Sequence, residues 1–450
     1  MFRAAPIRYD NNKETNITNK TVEGELRLKR STAILAAAFA AASLLAACSS
    51  GGPESAGGSA APDAGGLKGD ITFLTHRTDL ADTALTDIAE EFMAKNPGVK
   101  ITVESSKGDD VLKTQIAANE LPDIMFVPSG LGMTRKDYPT YFVPIDDLGY
   151  TKENLWYYEN GAGPDNHLYT LSIGLNYQGF VYSKAAFRAA GIEQAPKTME
   201  EFLAAAEKLK AKGITPVASN FKDGWPLGNY ADGAYSNDMT GSKNYQNTLI
   251  SKDLFAKEPG SLLEGIQFLK TLADKGYLEK DLMSTNWDAS KRDLAQGKIG
   301  MTYLGTWLPA QIEQNGGKPE DIGMFPVPGA KALVGSADYM YGVTKNSKSP
   351  EAAKAFLKFM WDNGYMPKKA GMIPPNKDYK ADEPFLKELL SYNLPIVEWE
   401  AHVPEYQELI NKAQIDAKKA AQEYVLAENP QEVIDKYNKK WAEARKALGK

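Results

Sequence analysis

Between residues 70 and 128 the chain alternates short β-rich apolar runs with amphipathic stretches: DITFLTHR, ALTDIAEEFMAKNPG, VKITVES, DVLKTQIAANEL and PDIMFVPS. That order leaves few architectures open. Strands joined through helices form a parallel sheet, which needs cover on both faces. The helical spacing agrees, because Leu85, Ile88, Ala89 and Phe92 share one face and Asn96-Pro97-Gly98 stops the helix. The pattern predicts an α/β fold with a parallel or mostly parallel sheet. Ligands of such sheets sit in the crevice beyond the strands' carboxyl ends. Those ends are His76-Arg77-Thr78-Asp79 and Pro128-Ser129-Gly130.

The same style continues downstream. TLSIGLNYQGFVYSK reads as two strand-like pieces around Asn176-Tyr177-Gln178-Gly179. Thr198 with Glu201 three residues on forms a capping box. Ser349 followed by Pro350 opens another helix. In the last segment Val433, Tyr437, Trp441 and Leu448 form one stripe, read as core packing. Setting aside the first 69 residues leaves about 380, too many for one ordinary core and suggestive of two domains.

The N-terminal region reads differently. Lys29 and Arg30 precede the uncharged run STAILAAAFAAASLLAA, which ends at Cys48, the single cysteine of the chain. A charged region, an apolar region and small residues make a secretory signal. The run is shorter than the ~20 residues that span a bilayer. Leu45-Ala46-Ala47-Cys48 resembles the lipobox of bacterial lipoproteins, which implies cleavage before Cys48 and a lipid-bearing (palmitate-type) N-terminus there. Residues 1–47 are thus expected to be a signal peptide, with 1–27 a mis-assigned start because they are too long and polar for an ordinary charged region. Residues 48–69, rich in Gly, Ser, Ala and Pro, form a flexible tether. With no second cysteine, no internal disulfide can form. The formal charge of −6 and the lack of a dense Lys/Arg block make nucleic acid a poor partner.

Much chemistry is missing. His76, His167 and His402 lie far apart and in no metal-ligand spacing. No nucleophile elbow, P-loop or dinucleotide fingerprint occurs. Asp146-Asp147 and Glu398 with Glu400 are carboxylate pairs of the kind exposed loops commonly carry, and spacing in sequence does not establish the ~5–10 Å separation glycoside hydrolysis needs. No cofactor and no metal are expected.

Across residues 70–450 the segments resemble, in order, the bacterial extracellular solute-binding proteins of carbohydrate ABC importers, which include the maltose-binding protein. The carriers are LADTALTDIAEEFMAKNPGVKITVE, LPDIMFVPS, VPIDDL, LYTLSIGLNYQGFVYSKAAFRAAGI, AQGKIGMTYLGTWLP and DYMYGVTKNSKSPEAAKAFLKFM. The resemblance implies two α/β lobes of the type II periplasmic-binding-protein kind, joined by crossover hinge strands. The first lobe would comprise 70–175 plus 330–375 and the second 178–325 plus 376–450. Hinges would fall near Gly174–Gln178, Phe325–Gly329 and Gly371–Pro375. The implied partners are a mono- or oligosaccharide, the ABC permease subunits and their ATPase. A monomer is expected, held by its lipid on the outer face of the cytoplasmic membrane.

A pyranose offers hydroxyls and an apolar face, so its site needs flat aromatics with Asp, Asn, Arg or His beside them. Trp307, in GTWLP, matches the family's stacking aromatic; the competing reading is a tryptophan closing the core. Trp225 follows a polar loop with Asn220 and Lys222, any of which could face the cleft or line its wall. Tyr339 and Tyr341 share one face of a strand, either in the site or in the core. His76, Arg77, Asp79 and Ser129 lie where the family contacts ligand, with a solvated loop as the alternative. Asn176 and Tyr177 lie at the crossover, where the family's residue is often acidic. Near Ser129 the family's stacking aromatic is replaced by Val127-Pro128, which points to a smaller or differently placed ligand. The rival functions are a surface glycoside hydrolase or lyase, a binding protein for a non-sugar solute, and a surface-interaction protein without a small ligand.

Overall fold

The computed structural model describes residues 66–78, 80–106, 110–128, 131 and 133–450. Cys48, the signal and nearly all of the tether, Asp79 and Ser129 lie outside the described residues.

The N-terminal alternation folds as its pattern dictates. Strand β1 (Lys68–Thr75) pairs in parallel with β2 (Gly98–Ser105) and β3 (Ile124–Phe126). The helix Ala84–Lys95 buries Leu85, Ile88, Ala89 and Phe92, the four residues on its apolar face. Two further strands complete this sheet, β4 (Thr170–Ser172) and β11 (Met340–Val343), in the order β2-β1-β3-β11-β4. Here the expectation of a mostly parallel sheet needs correction. β11 runs antiparallel to both of its neighbours, because it enters from the distant half of the molecule and not through a covering helix.

A second sheet, in the order β7-β8-β6-β9, is built from β6 (Gln178–Ser183), β7 (Thr215–Ala218), β8 (Ile299–Gly305) and β9 (Ile322–Phe325). It is mixed too, with only β7 and β8 parallel. The helix Met199–Ala211 flanks it, and both bonds of the Thr198–Glu201 capping box are made. Ser349 makes no side-chain cap bond, although Pro350 does open the helix Pro350–Asp362. In the final helix, Pro430–Ala447, the buried stripe is Ile434, Tyr437, Trp441 and Ala444, a rotation from the predicted set that retains Tyr437 and Trp441.

Between the sheets lies a small layer of crossing strands. β5 (Leu175–Asn176) pairs antiparallel with β10 (Leu333–Ala337), which pairs in parallel with β12 (Ile396–Glu398). Ile373 also bridges Leu175. The apolar cores divide on either side. One runs from Ile71 to Ile173 and from Tyr341 to Met372; the other runs from Phe180 to Val327 and from Tyr406 to Ala444.

Asp238 ties the second half to this layer and suggests a pH test. Its Oδ1 accepts the Val334 amide at 2.9 Å, its carboxylate is buried, and burial holds its pKa well above the usual carboxylate range. A group raised in this way costs stability as pH climbs from the ordinary carboxylate range toward its folded value, by about 1.4 kcal/mol per pH unit. Asp238→Asn keeps the acceptor and removes the titration. The variant is expected to melt above the wild type at neutral pH, with the advantage shrinking as pH falls toward 4; thermal melts across that range check it.

Candidate ligand-binding site

The site is best built from the ends of β1 and β11. His76 follows β1 and stacks on Tyr339, which precedes β11, with centroids 3.8 Å apart and planes 19° from parallel. Phe126, at the end of β3, meets both rings edge-on at 5.7 Å. Three adjacent strand ends thus place a half-buried aromatic surface at the carboxyl edge of the first sheet. Arg77 lies beside it, its Nη1 donating to the Ala370 carbonyl at 2.8 Å. Asp338, next in chain to Tyr339, accepts the Tyr339 amide at 2.7 Å. Burial pushes its pKa up, with that amide and the Arg77 charge opposing.

The opposing half contributes three tryptophans. Trp307 follows β8, Trp225 opens a turn after Gly224, and Trp287 opens the helix Trp287–Ala295. Their centroids are 5.2, 5.8 and 5.9 Å apart, with Trp225 nearly perpendicular to Trp287. The rings therefore form a corner and not a flat floor. Trp225 is 42% exposed, an unusual position for so large an apolar side chain unless something else covers it.

The two surfaces meet through residues 370–372. Ala370 receives the Arg77 bond, and Gly371 lies so close to Trp307 that a Cβ there would stand 2.9 Å from the Trp307 carbonyl oxygen. Gly371 also has φ +71°, so glycine suits the position on both counts. Trp307 packs against the first core and against the small cluster beneath the crossing strands.

Of the remaining predicted residues, Tyr341, Asn176, Tyr177 and Asn220 are buried and Lys222 is exposed. Tyr341 is fully buried, and its hydroxyl lies 2.8 Å from both Thr75 Oγ1 and His76 Nδ1. Asn176 is buried, its Oδ1 accepting from the Thr306 amide at 3.1 Å and the Thr306 hydroxyl at 3.2 Å. Tyr177 is buried, and its ring covers Gly335. Asn220 is buried with φ +49°, and its Oδ1 accepts from Ser290 at 2.6 Å. Lys222 is exposed on the turn that leads to Trp225. Trp287, Phe126 and Asp338 were missed by sequence reasoning. Trp287 did carry a signal: it directly follows Asn286, whose side chain caps the helix by accepting the Ala289 amide.

Two halves with separate cores, joined by crossing strands and each carrying an aromatic cluster, define a two-lobed binding protein. The family of bacterial extracellular solute-binding proteins matches residues 78–367, and the chain belongs to it. Among relatives, the multiple sugar-binding protein of Streptococcus mutans is 28% identical over 292 residues, covering 62% of this chain and 68% of that protein. An ABC transporter extracellular-binding protein of Pyrococcus horikoshii is 28% identical over 349 residues, covering 72% and 77%. A binding protein of an ABC transporter from Bifidobacterium animalis subsp. lactis, solved with mannobiose, superposes with a TM-score of 0.72 at 25% identity, covering 85% of this chain and 95% of that one. A second protein of that organism, solved with mannotriose, gives 0.71 at 25% identity, covering 85% and 95%. The chain is accordingly a binding protein and not an enzyme, of an extracellular or periplasmic class. That assignment decides against the hydrolase or lyase. Among the described residues no helix is long and apolar enough to cross a membrane.

Proposed function

We propose that this protein captures a short oligosaccharide between its two aromatic surfaces and delivers it to the permease and ATPase of an ABC importer. The observations that carry the reading are the Trp225–Trp287–Trp307 corner and the stacked His76–Tyr339 pair. Aromatic faces cover the apolar face of a pyranose; Arg77, Asp338 and the His76 edge supply polar partners for its hydroxyls. The relatives named for sugar binding and the neighbours solved with mannobiose and mannotriose support the same class of ligand. In our reading, 70–175 with 330–375 and 178–325 with 376–450 are the lobes. They close about the crossing segments 174–178, 325–329 and 371–375, and ligand stabilises closure by bridging both. It shifts that equilibrium only by its differential affinity for the two forms.

Titration with mannobiose, mannotriose, raffinose and a wider carbohydrate panel tests this. A saturable thermal shift, with ligand-linked compaction by small-angle scattering, is expected. No shift with any sugar, and none with host cell extract, would sink the sugar reading.

Cys48 carries a second part of the proposal. As a lipid-bearing N-terminus it would hold the monomer at the outer face of the membrane, with the tether giving reach to the permease; two or more acyl chains anchor stably where one does not. Cys48→Ala is expected to release the protein from membranes in cell fractionation while leaving sugar affinity unchanged. Retention of the variant in the membrane fraction would refute the anchor.

A further inference from the structure

Trp225 is 42% exposed, so burial of its own indole does little to hold the turn that carries it. Hydrogen bonds to the backbone of that turn hold it instead. β7 ends at Ala218, and the next two residues meet one carboxylate. Glu279 Oε1 accepts the Ser219 amide at 2.9 Å and the Asn220 amide at 2.9 Å, while its Oε2 accepts the Ser219 hydroxyl at 2.8 Å. Two successive amides aimed at one oxygen make the kind of backbone nest that holds anions. Asn220 bends the chain there at φ +49° and ψ +46°, a left-handed conformation that asparagine tolerates better than most residues.

The same turn is tied twice more to the segment that carries Trp287. The Lys222 amide donates at 3.0 Å to Oγ1 of Thr285, which stands just before Asn286 and Trp287. Ser290 Oγ, on the first turn of the helix that Trp287 opens, donates to Asn220 Oδ1 at 2.6 Å. The ties at 279, 285 and 290 thus bracket Trp287 in the chain. Ser219, Asn220, Thr285 and Ser290 are all buried, which strengthens these bonds against competing water. The turn and the helix are joined where Trp225 meets Trp287, with centroids 5.2 Å apart and planes at 82°.

We infer that Glu279 is a positioning residue: by holding the Ser219–Asn220 nest against the 279–290 segment, it sets the angle between Trp225 and Trp287 before ligand arrives. Trp225 reaches the corner on a turn and Trp287 on a helix, and nothing in the local sequence of either fixes their mutual angle. The carboxylate does so by joining the two backbones. A corner set in advance lowers the entropy cost of binding, because fewer side chains are ordered when the sugar docks. The ligand half of this inference rests on the function proposed above; the clamp does not.

The chain has seven tryptophans, so fluorotryptophan labelling and ¹⁹F NMR of the ligand-free protein read each ring, with assignments from single Trp→Phe variants. Glu279→Ala is expected to shift or broaden the Trp225 and Trp287 signals while leaving those of the buried Trp361 and Trp441 in place. Glu279→Gln, whose amide oxygen can still accept both backbone amides, should restore the wild-type spectrum. If Glu279→Ala does not fold, Glu279→Asp, shorter by one methylene, takes its place with the same expectation. Unchanged Trp225 and Trp287 signals in the folded variant overturn the clamp. So does equal movement of every tryptophan, which marks a general loss of structure. With mannobiose as probe, or the tightest-binding sugar of the panel, the folded variant should bind about tenfold more weakly and Glu279→Gln within about twofold of wild type. Wild-type affinity in a variant whose rings have moved would overturn the ligand half. A clamp that responds as expected in a protein that binds no carbohydrate would overturn the sugar reading and leave the clamp standing.

Discussion

Trp307→Ala is expected to weaken carbohydrate binding about a hundredfold. A pyranose face stacked on an indole removes ~100 Å² of apolar surface from water, worth ~2.5 kcal/mol, and each ~1.4 kcal/mol is tenfold in affinity. The indole also braces Trp225 and Trp287, 5.8 and 5.9 Å away, so its loss loosens the rest of the corner. Trp225→Ala is the internal comparison. That side chain is 42% exposed and braces less, and a smaller loss of about fivefold is expected. Isothermal titration with the best sugar of the panel measures both. If folded Trp307→Ala bound as tightly as the wild type, the corner would not be the ligand's platform.

Gly305→Ala is the second large effect, and it reaches the ligand indirectly. A Cβ on Gly305 would stand 2.3 Å from Asn176 Oδ1 and 2.5 Å from Trp307 Nε1. Neither atom can yield cheaply. Asn176 Oδ1 holds both polar atoms of Thr306, and Trp307 is wedged between the first core and the crossing layer. The methyl therefore breaks the Asn176–Thr306 bonds, displaces the indole, or does both. Overpacking of this kind costs ~1–3 kcal/mol, and affinity should fall toward that of Trp307→Ala. Adding Asn176→Ala removes one side of the clash and should recover part of the melting temperature. If Gly305→Ala kept both wild-type stability and wild-type affinity, the close approach would be irrelevant to the site.

These two predictions rest on one sequence motif whose parts differ in legibility. GTWLP displayed the tryptophan directly, because a large aromatic after a strand and a glycine is a local pattern. The reason for the glycine was not local. Gly305 is small because Asn176, 129 residues earlier in the chain, needs the space. Asn176 itself read as a ligand contact, and the structure spends its Oδ1 on Thr306. Tyr341 and Tyr339 share a strand and looked equivalent, yet one is buried behind His76 and the other covers it. Which polar side chain faces ligand depends on what else is folded around it.

The sequence by itself determined the local elements: the helix Ala84–Lys95 with its four buried residues, the β1, β2 and β3 strands, and the capped helix after Thr198. Hydrophobic period and capping chemistry act over a few residues, so they can be read without knowing the fold. Tertiary structure alone decided that β11 enters the first sheet antiparallel, and that Trp225, Trp287 and Trp307 converge from positions up to 82 residues apart. It also decided that the hydroxyl of Tyr341, 265 residues beyond His76, lies between Thr75 and His76. These are contacts between segments that local pattern leaves independent, and only burial in one common structure brings them together.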